Sequence, residues 1–248
     1  MNTQKKLIEF LKKHNIKNVQ TITDGALINP NQFMLAGVNT KGAVLFADLP
    51  GFSKLCSEKE PIECAYYANH FFSWFEAEAI RNYGGIIDKY IGDEIMIIYP
   101  QSECEIDPLE AAMRSAERMI RNDHYSFEPK IGIACGSFII ALVGTINNWS
   151  ISCIGNTVNL ASRCVLKNNE VNTVGIATQQ TDLVKHIFKT ENEWAISENP
   201  NFQPKNMEKT HLIQVHRTDN WILFGDYFND IQTQIENAYK EGFIKNDV

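Results

Sequence analysis

No two of the six cysteines are spaced as C-x-x-C. Cys56, Cys64, Cys104, Cys135, Cys153 and Cys164 are scattered along the chain. That excludes the usual zinc-ligand spacings and reads as reduced thiols in a cytosolic protein. Basic residues are also in short supply. Against 23 Lys and Arg stand 30 Asp and Glu, a formal net charge of -7, which argues against broad nucleic-acid binding. No apolar run is long enough to span a bilayer, and no signal-peptide pattern opens the chain. Internal repeats and low-complexity tracts are absent. What remains is 248 residues, 44% hydrophobic and 21% charged, the composition of an ordinary globular protein. It is enough for one large domain with short extensions.

Two stretches carry candidate chemistry. Val44-Leu45-Phe46-Ala47-Asp48-Leu49-Pro50-Gly51-Phe52-Ser53 begins as an apolar run of strand formers and ends in a lone carboxylate before a Pro-Gly break. A buried strand that delivers Asp48 into a tight turn suits a metal ligand; an Asp in that place also suits a helix cap. Gly84 to Tyr99 reads as two short strands joined around Gly92-Asp93, which puts a second carboxylate at a strand end. Two Asp residues at adjacent strand ends suit a pair of Mg²⁺ or Mn²⁺ ions that clamp a nucleoside triphosphate.

The rest of the chain frames them. Residues 2–14 predict an amphipathic helix, with Leu7, Ile8, Phe10 and Leu11 opposite Lys5, Lys6, Lys12 and Lys13. It either docks on its own domain or lies on a membrane surface. Residues 21–40 read as an irregular connection with a turn at Asn29-Pro30-Asn31, so a catalytic domain is expected over 41–218. Pro61 to Asn82 predicts a long helix stopped by Gly84-Gly85, and Asp107-Pro108 opens another. Lys130 to Cys135 and Phe138 to Val143 read as two strands around Gly136, and Ser150 to Ile154 as a further short one.

Gly155-Asn156-Thr157 then opens a helix on which Asn159 and Arg163, four apart, share a face. Such a pair can grip a phosphate or ribose oxygen, or simply be a solvated polar face. Thr173 to Ala177 predicts a strand, Thr178 to Phe188 a helix capped by Thr178, and Leu212 to His216 the last strand. The order strand, helix, strand, strand, helix, strand is that of an α+β sandwich with a ferredoxin-like βαββαβ core. Residues 219–248 form a C-terminal extension. Its Trp221, Leu223, Phe224, Tyr227, Phe228, Ile231, Ile235 and Tyr239 need a surface, in the same subunit or in a partner.

Together these pieces resemble the class III nucleotidyl cyclases, over roughly Gly42 to Arg217. Phe46 to Ser53 is similar to that family's first metal motif and Lys89-Tyr90-Ile91-Gly92-Asp93 to its second. Lys130 to Gly136, on to Gly144, is similar to its central strands, and Gly155 to Arg163 to its catalytic helix. The resemblance implies that Asp48 and Asp93 hold two divalent ions, Mn²⁺ or Mg²⁺, with help from the carbonyl of Leu49. It implies phosphate contacts from the amides of Gly51, Phe52 and Ser53, ribose orientation by Asn159, and transition-state charge stabilisation by Arg163. Lys205 is a further phosphate candidate in surroundings that match the family poorly. The family's site lies between two subunits. This chain carries both halves, so a homodimer with two composite sites is expected.

The resemblance places Lys89 and Ser152 at the base-reading positions and implies Phe46, Ile91, Cys153 and Ile154 as apolar walls. Adenylate cyclases of the family pair the Lys with Asp or Thr; guanylate cyclases use Glu and Cys. Ser152 departs from both, since a hydroxyl can donate or accept. The departure and the short chain resemble the pyrimidine cyclases of bacterial Pycsar anti-phage systems. That implies UTP as substrate, cUMP as product, and a separate effector gated by that product. ATP to cAMP is the alternative. A non-catalytic nucleotide sensor is disfavoured by the presence of Asp48, Asp93, Asn159 and Arg163. A diguanylate cyclase, suggested by Gly92-Asp93-Glu94, is disfavoured by Lys89 and the Asn159/Arg163 helix.

Overall fold

The fold is built outward from β1, Gly37–Asp48, which pairs antiparallel with β3, Glu94–Pro100, on one side and with β4, Lys130–Thr145, on the other. In the computed structural model, residues 3–16, 36–80, 83–121, 127–145, 148–167, 170–188, 193–218 and 227–245 are described. The strand order is β2-β3-β1-β4-β6-β8-β7, with β5 paired to β4 off that path. Here β2 is Ile86–Ile91, β5 Asn148–Ile154, β6 Thr173–Ala177, β7 Trp194–Phe202 and β8 Thr210–Arg217. The first four strands have the ferredoxin-like arrangement the sequence predicts. β6 extends the sheet by running parallel to β4.

Period-two alternation along β1 sends side chains to two cores. Leu45 and Ala47 face α3 (Pro61–Ile80), α4 (Pro108–Ile120) and α6 (Thr181–Ile187), where Phe71, Phe75, Met113 and Val184 are buried. Val44 and Phe46 face α1 (Thr3–Lys13), α5 (Asn156–Lys167) and β5. Leu7, Phe10 and Leu11 of α1 are fully or almost fully buried there, so this basic amphipathic helix docks on its own domain. Gln4 fastens it by clasping the main chain of Ile151: Nε2 donates to the carbonyl at 3.2 Å, and Oε1 accepts from the N–H at 2.9 Å. α4 starts as expected, with the Asp107 carboxylate accepting from the N–H groups of Leu109 and Glu110. No helix among the described residues is long and apolar enough to cross a membrane.

Several elements differ from expectation. A short helix α2, Phe52–Glu58, follows the Pro-Gly turn. Residues 130–145 form one continuous strand rather than two. Gly136 does not break it, because β1 pairs across it at Gly42. The glycine is there for close packing: a Cβ at Gly136 would sit 2.6 Å from Thr157 Oγ1. Helix α6 begins at Thr181, and Thr178 instead accepts from the Gln180 N–H in the preceding turn. Strand β7 is not expected from the sequence, since WAISENPNF carries little apolar alternation. At the C-terminus α7, Tyr227–Lys240, lies against α3, with the Tyr66 hydroxyl donating to Gln234 Oε1. The turn expected at Asn29-Pro30-Asn31, and Trp221, Leu223 and Phe224, lie outside the described residues.

Helix α5 reaches β4 only because Gly132 has no side chain: an added Cβ would lie 2.3 Å from the Ala161 carbonyl oxygen and 2.5 Å from the Val165 nitrogen. Gly132→Ala should therefore overpack this contact and lower stability by about 1–3 kcal/mol, read as a lower denaturant midpoint. A midpoint equal to wild type would show that α5 shifts without penalty.

Candidate active site

Asp48 is the last residue of β1, and the sheet register gives it two neighbours, Glu94 on β3 and Lys130 on β4. Asp93 follows Gly92 in the two-residue turn between β2 and β3, with Gly92 at φ 63, a left-handed conformation that suits glycine. The hairpin thus brings the second expected carboxylate beside the first. Burial raises the pKa of the half-buried Asp48, Asp93 adds to the rise, and Lys130 opposes it. Glu94 is pushed up to about 7, by burial first and then by Asp48 and Asp93.

Such crowding of negative charge is what a divalent cation relieves, and an all-oxygen donor set suits Mg²⁺ or Mn²⁺. Among the described residues no three His, Cys, Asp or Glu side chains enclose an ion by themselves. Asp48, Asp93 and the Leu49 carbonyl could supply part of a shell and leave positions for phosphate oxygens and water, the usual habit of Mg²⁺. The helix-cap reading of Asp48 fails. The N-cap of α2 is Gly51, at φ 84 and without any side-chain cap. Gly51 and Ser53 are exposed in this turn. Of its amides, that of Phe52 already donates to the Leu49 carbonyl at 3.3 Å.

Lys89 and Ser152, far apart in sequence, meet: Lys89 Nζ donates to Ser152 Oγ. A β-bulge makes this possible. In the β2/β3 ladder Ile87 pairs with Ile97 but Lys89 pairs with Met96, so Asp88 is an extra residue. Met96 faces the α1 side, and Lys89 therefore does too. Tyr90 faces the opposite side, its ring 4.4 Å from that of Phe72 on α3. Asp88, only 1% exposed, accepts from the Cys153 N–H at 2.7 Å and from the Ser152 hydroxyl at 3.0 Å, and lies 3.3 Å from Lys89 Nζ. Burial raises its pKa against the pull of Lys89 and these hydrogen bonds. Phe46 and Cys153 are buried on the same side of the sheet, whereas Ile91 and Ile154 are each 49% exposed.

Asn159 and Arg163 lie on the exposed face of α5, whose opposite face buries Thr157, Ala161, Cys164 and Val165. Neither forms a hydrogen bond or ion pair with Asp48 or Asp93 in the same chain. Lys205 is exposed in the turn between β7 and β8.

The family described as adenylate and guanylate cyclase catalytic domain matches residues 38–214. The chain belongs to that family. This cyclase domain is 33% identical over 129 residues to the terminal-differentiation-specific adenylate cyclase of Dictyostelium discoideum, covering 48% of this chain and 6% of that protein. It is 32% identical over 131 residues to an adenylate cyclase of Anabaena cylindrica, covering 48% of this chain and 26% of that protein. The chain thus spans a minor part of the length of these curated relatives. Among solved structures, the adenylyl cyclase CyaB from P. aeruginosa superposes with a TM-score of 0.62 at 22% identity, covering 76% of this chain and all of that one. The guanylate cyclase domain of RhGC from Catenaria anguillulae, in complex with GTP, gives 0.60 at 19% identity, covering 73% of this chain and 100% of that one. At these identities the likeness establishes the fold.

Three residues of this cyclase domain escaped the sequence reading. Asp88 is hidden by a bulge that periodicity does not reveal. Glu94 was visible beside Asp93, but only the register puts it opposite Asp48. Lys130 has no local signal at all. The raised Glu94 gives a test with a definite sign. The folded, metal-free protein holds a proton there that the unfolded chain releases above about pH 4.5, so this carboxyl withdraws stability as pH rises from about 4.5 to about 7, above which the loss is complete. Glu94→Gln should raise the melting temperature of metal-free protein at pH 8, with a gain that vanishes at pH 5. An equal effect at both values would mean that the carboxylates do not share one field.

Proposed function

We propose that the protein is a class III nucleotide cyclase that converts a nucleoside triphosphate, UTP by preference, to its 3′,5′-cyclic nucleotide and pyrophosphate. The observation that carries this reading is the pairing of Asp48 with the hairpin carboxylate Asp93, in a chain that also holds Asn159 and Arg163 on one free helix face. Asp48, Asp93 and the Leu49 carbonyl would hold two divalent ions, which would lower the pKa of the ribose 3′-hydroxyl and neutralise the phosphates. Amides of the Gly51–Ser53 turn bind outer phosphate oxygens, with Lys205 as a further contact. Asn159 orients the ribose, and Arg163 stabilises the charge that grows on the α-phosphate as pyrophosphate leaves.

The separation of the two halves within one chain supports a head-to-tail homodimer in which Arg163 and Asn159 of one subunit complete the carboxylate site of the other. Lys89 and Ser152 read the base, and Phe46, Ile91, Cys153 and Ile154 wall it. Uracil suits this pair because Lys89 donates to O4 while Ser152 accepts from N3–H. The second reading, ATP to cAMP, is favoured by the names of the two curated relatives. A cytosolic role in anti-phage defence, with cUMP gating a separate effector, rests on the resemblance to Pycsar cyclases alone.

Incubation with the four ribonucleoside triphosphates and Mn²⁺, followed by mass identification of products, should yield mainly cUMP. Mainly cAMP would overturn the UTP preference, and no cyclic product at all would overturn the cyclase reading. Asp48→Ala and Asp93→Ala should each abolish turnover in folded protein, since one carboxylate cannot hold two ions. Asp48→Ala and Arg163→Ala, each inactive alone, should on subunit exchange regain roughly a quarter of wild-type activity. Half of the dimers are then mixed, and each mixed dimer has one intact site. No recovery after verified exchange would refute composite sites.

A further inference from the structure

Asp88 is a buried carboxylate set between the two side chains that read the base. Removing such a group from water costs several kcal/mol unless it is fully hydrogen-bonded, and here it is. Oδ1 takes the Cys153 N–H at 2.7 Å, Oδ2 takes the Ser152 hydroxyl at 3.0 Å, and the Lys89 ammonium stands 3.3 Å from Oδ2. The backbone goes out of its way to put it there. Without the bulge, alternation would send Asp88 and Lys89 to opposite faces of the sheet; with it, both point toward β5. β5 pairs with β4 and not with β2, so the Asp88 carboxylate is a polar tie between two strands that share no ladder.

We propose that Asp88 is a positioning residue that sets the hydrogen-bonding polarity of the base pocket through Ser152. This rests on the reading of Lys89 and Ser152 as base contacts. A serine hydroxyl has one proton and two lone pairs. Its other acceptor in reach, the Cys153 carbonyl at 3.5 Å, is more distant and uncharged, so the proton goes to the carboxylate. Ser152 Oγ then has only lone pairs to offer, one of them to Lys89. An incoming base meets an ammonium donor beside a hydroxyl acceptor. In uracil, O4 beside N3–H fits that pair, and so does O6 beside N1–H in guanine, so the polarity separates these two bases from cytosine and adenine and leaves pocket size to choose between them. In the same orientation cytosine and adenine present an amino group to the ammonium and a bare ring nitrogen to the lone pair, and both contacts clash. The ambiguity of serine, which left the base open in the sequence, is removed by a neighbour on another strand.

Asp88→Asn tests this with almost no change of shape. The amide oxygen can still accept from the Cys153 N–H, while the amide NH₂ donates to Ser152 Oγ and turns the hydroxyl proton outward. The probes are the non-cyclisable α,β-methylene analogues of UTP, CTP, ATP and GTP, with Mn²⁺ and the whole 248-residue chain, and affinity is read by calorimetry. Product ratios from the four natural triphosphates in competition are measured in parallel. The expected result is a change of about ten- to a hundred-fold in the ratio of uridine to adenine affinity. A role in folding alone would weaken all four analogues equally, and that outcome overturns the proposal.

Ser152→Ala should lose the same discrimination, and Asp88→Asn added to Ser152→Ala should change the ratio no further, because the carboxylate acts through that hydroxyl. Additive effects overturn it. Should Asp88→Asn fail to fold, Ser152→Ala decides alone: an unchanged base ratio in that folded variant is fatal. A wild-type preference for the adenine analogue would overturn both the UTP reading and the acceptor polarity assigned to Ser152, whereas an equal loss of all four analogues in Asp88→Asn overturns the proposal alone. Binding of none of the four by wild type would sink both.

Discussion

The structure depends on a strand that is paired along both edges. β1 is hydrogen-bonded to β3 from Gly42 to Asp48 and to β4 along its whole length, so the position of Asp48 is fixed by two ladders at once. Buried side chains on each face of β1 prevent a one-residue slip, which would exchange the two cores. A carboxylate at the end of such a strand is held to the precision of the sheet. The same register delivers Glu94 and Lys130 to its sides, so the electrostatic character of the site is a product of strand pairing as much as of the residues themselves.

From that fixed point the candidate site side chains are carried by elements of decreasing regularity. Asp93 sits on a turn that a left-handed glycine makes tight. Asn159 and Arg163 ride on a helix that can approach the sheet because Gly132 and Gly136 offer no side chains. The buried face of α5 is thereby committed to β4, and the polar face is committed to the outside. A face presented in this way, bearing an arginine and an amide, is suited to a second molecule. Lys89 and Ser152 depend on a defect in the sheet, the bulge at Asp88, and on the N-terminal helix whose Gln4 holds the main chain of Ile151, one residue from Ser152. Helix α1 therefore has a mechanical connection to the Lys89–Ser152 pair, although its sequence reads only as a docking helix.

Local motifs were legible wherever their meaning is local. The Asp-Leu-Pro-Gly break, the Gly92-Asp93 hairpin, the Asp107-Pro108 cap and the i, i+4 pair on the 156–167 helix each require only a few consecutive residues to be recognised. Their order supported the α+β architecture. Misreadings arose where a local signal had a tertiary cause. Gly136 reads as a break because glycine weakens a strand, whereas it makes room for Thr157. Thr178 reads as a helix cap, whereas its hydroxyl closes the turn before the helix. β7 has no clear sequence signal because an edge strand pairs through its backbone and needs little apolar pattern.

The sequence by itself determined the chemistry on hand: two carboxylates at strand ends, an amide and an arginine on one helix face, a lysine ahead of the hairpin, and the order of elements that a ferredoxin-like sheet requires. These follow from short-range rules of turn, cap and periodicity. Only the tertiary structure decided which groups share a field and which acceptors a hydroxyl has in reach. Asp48 meets Glu94 and Lys130 through register, a relation between residues far apart in the chain. Asp88 meets Ser152 and Cys153 because an extra residue in β2 turns two successive side chains to the same face. A hydroxyl in a sequence is both donor and acceptor; it becomes one or the other when folding sets a buried carboxylate beside it.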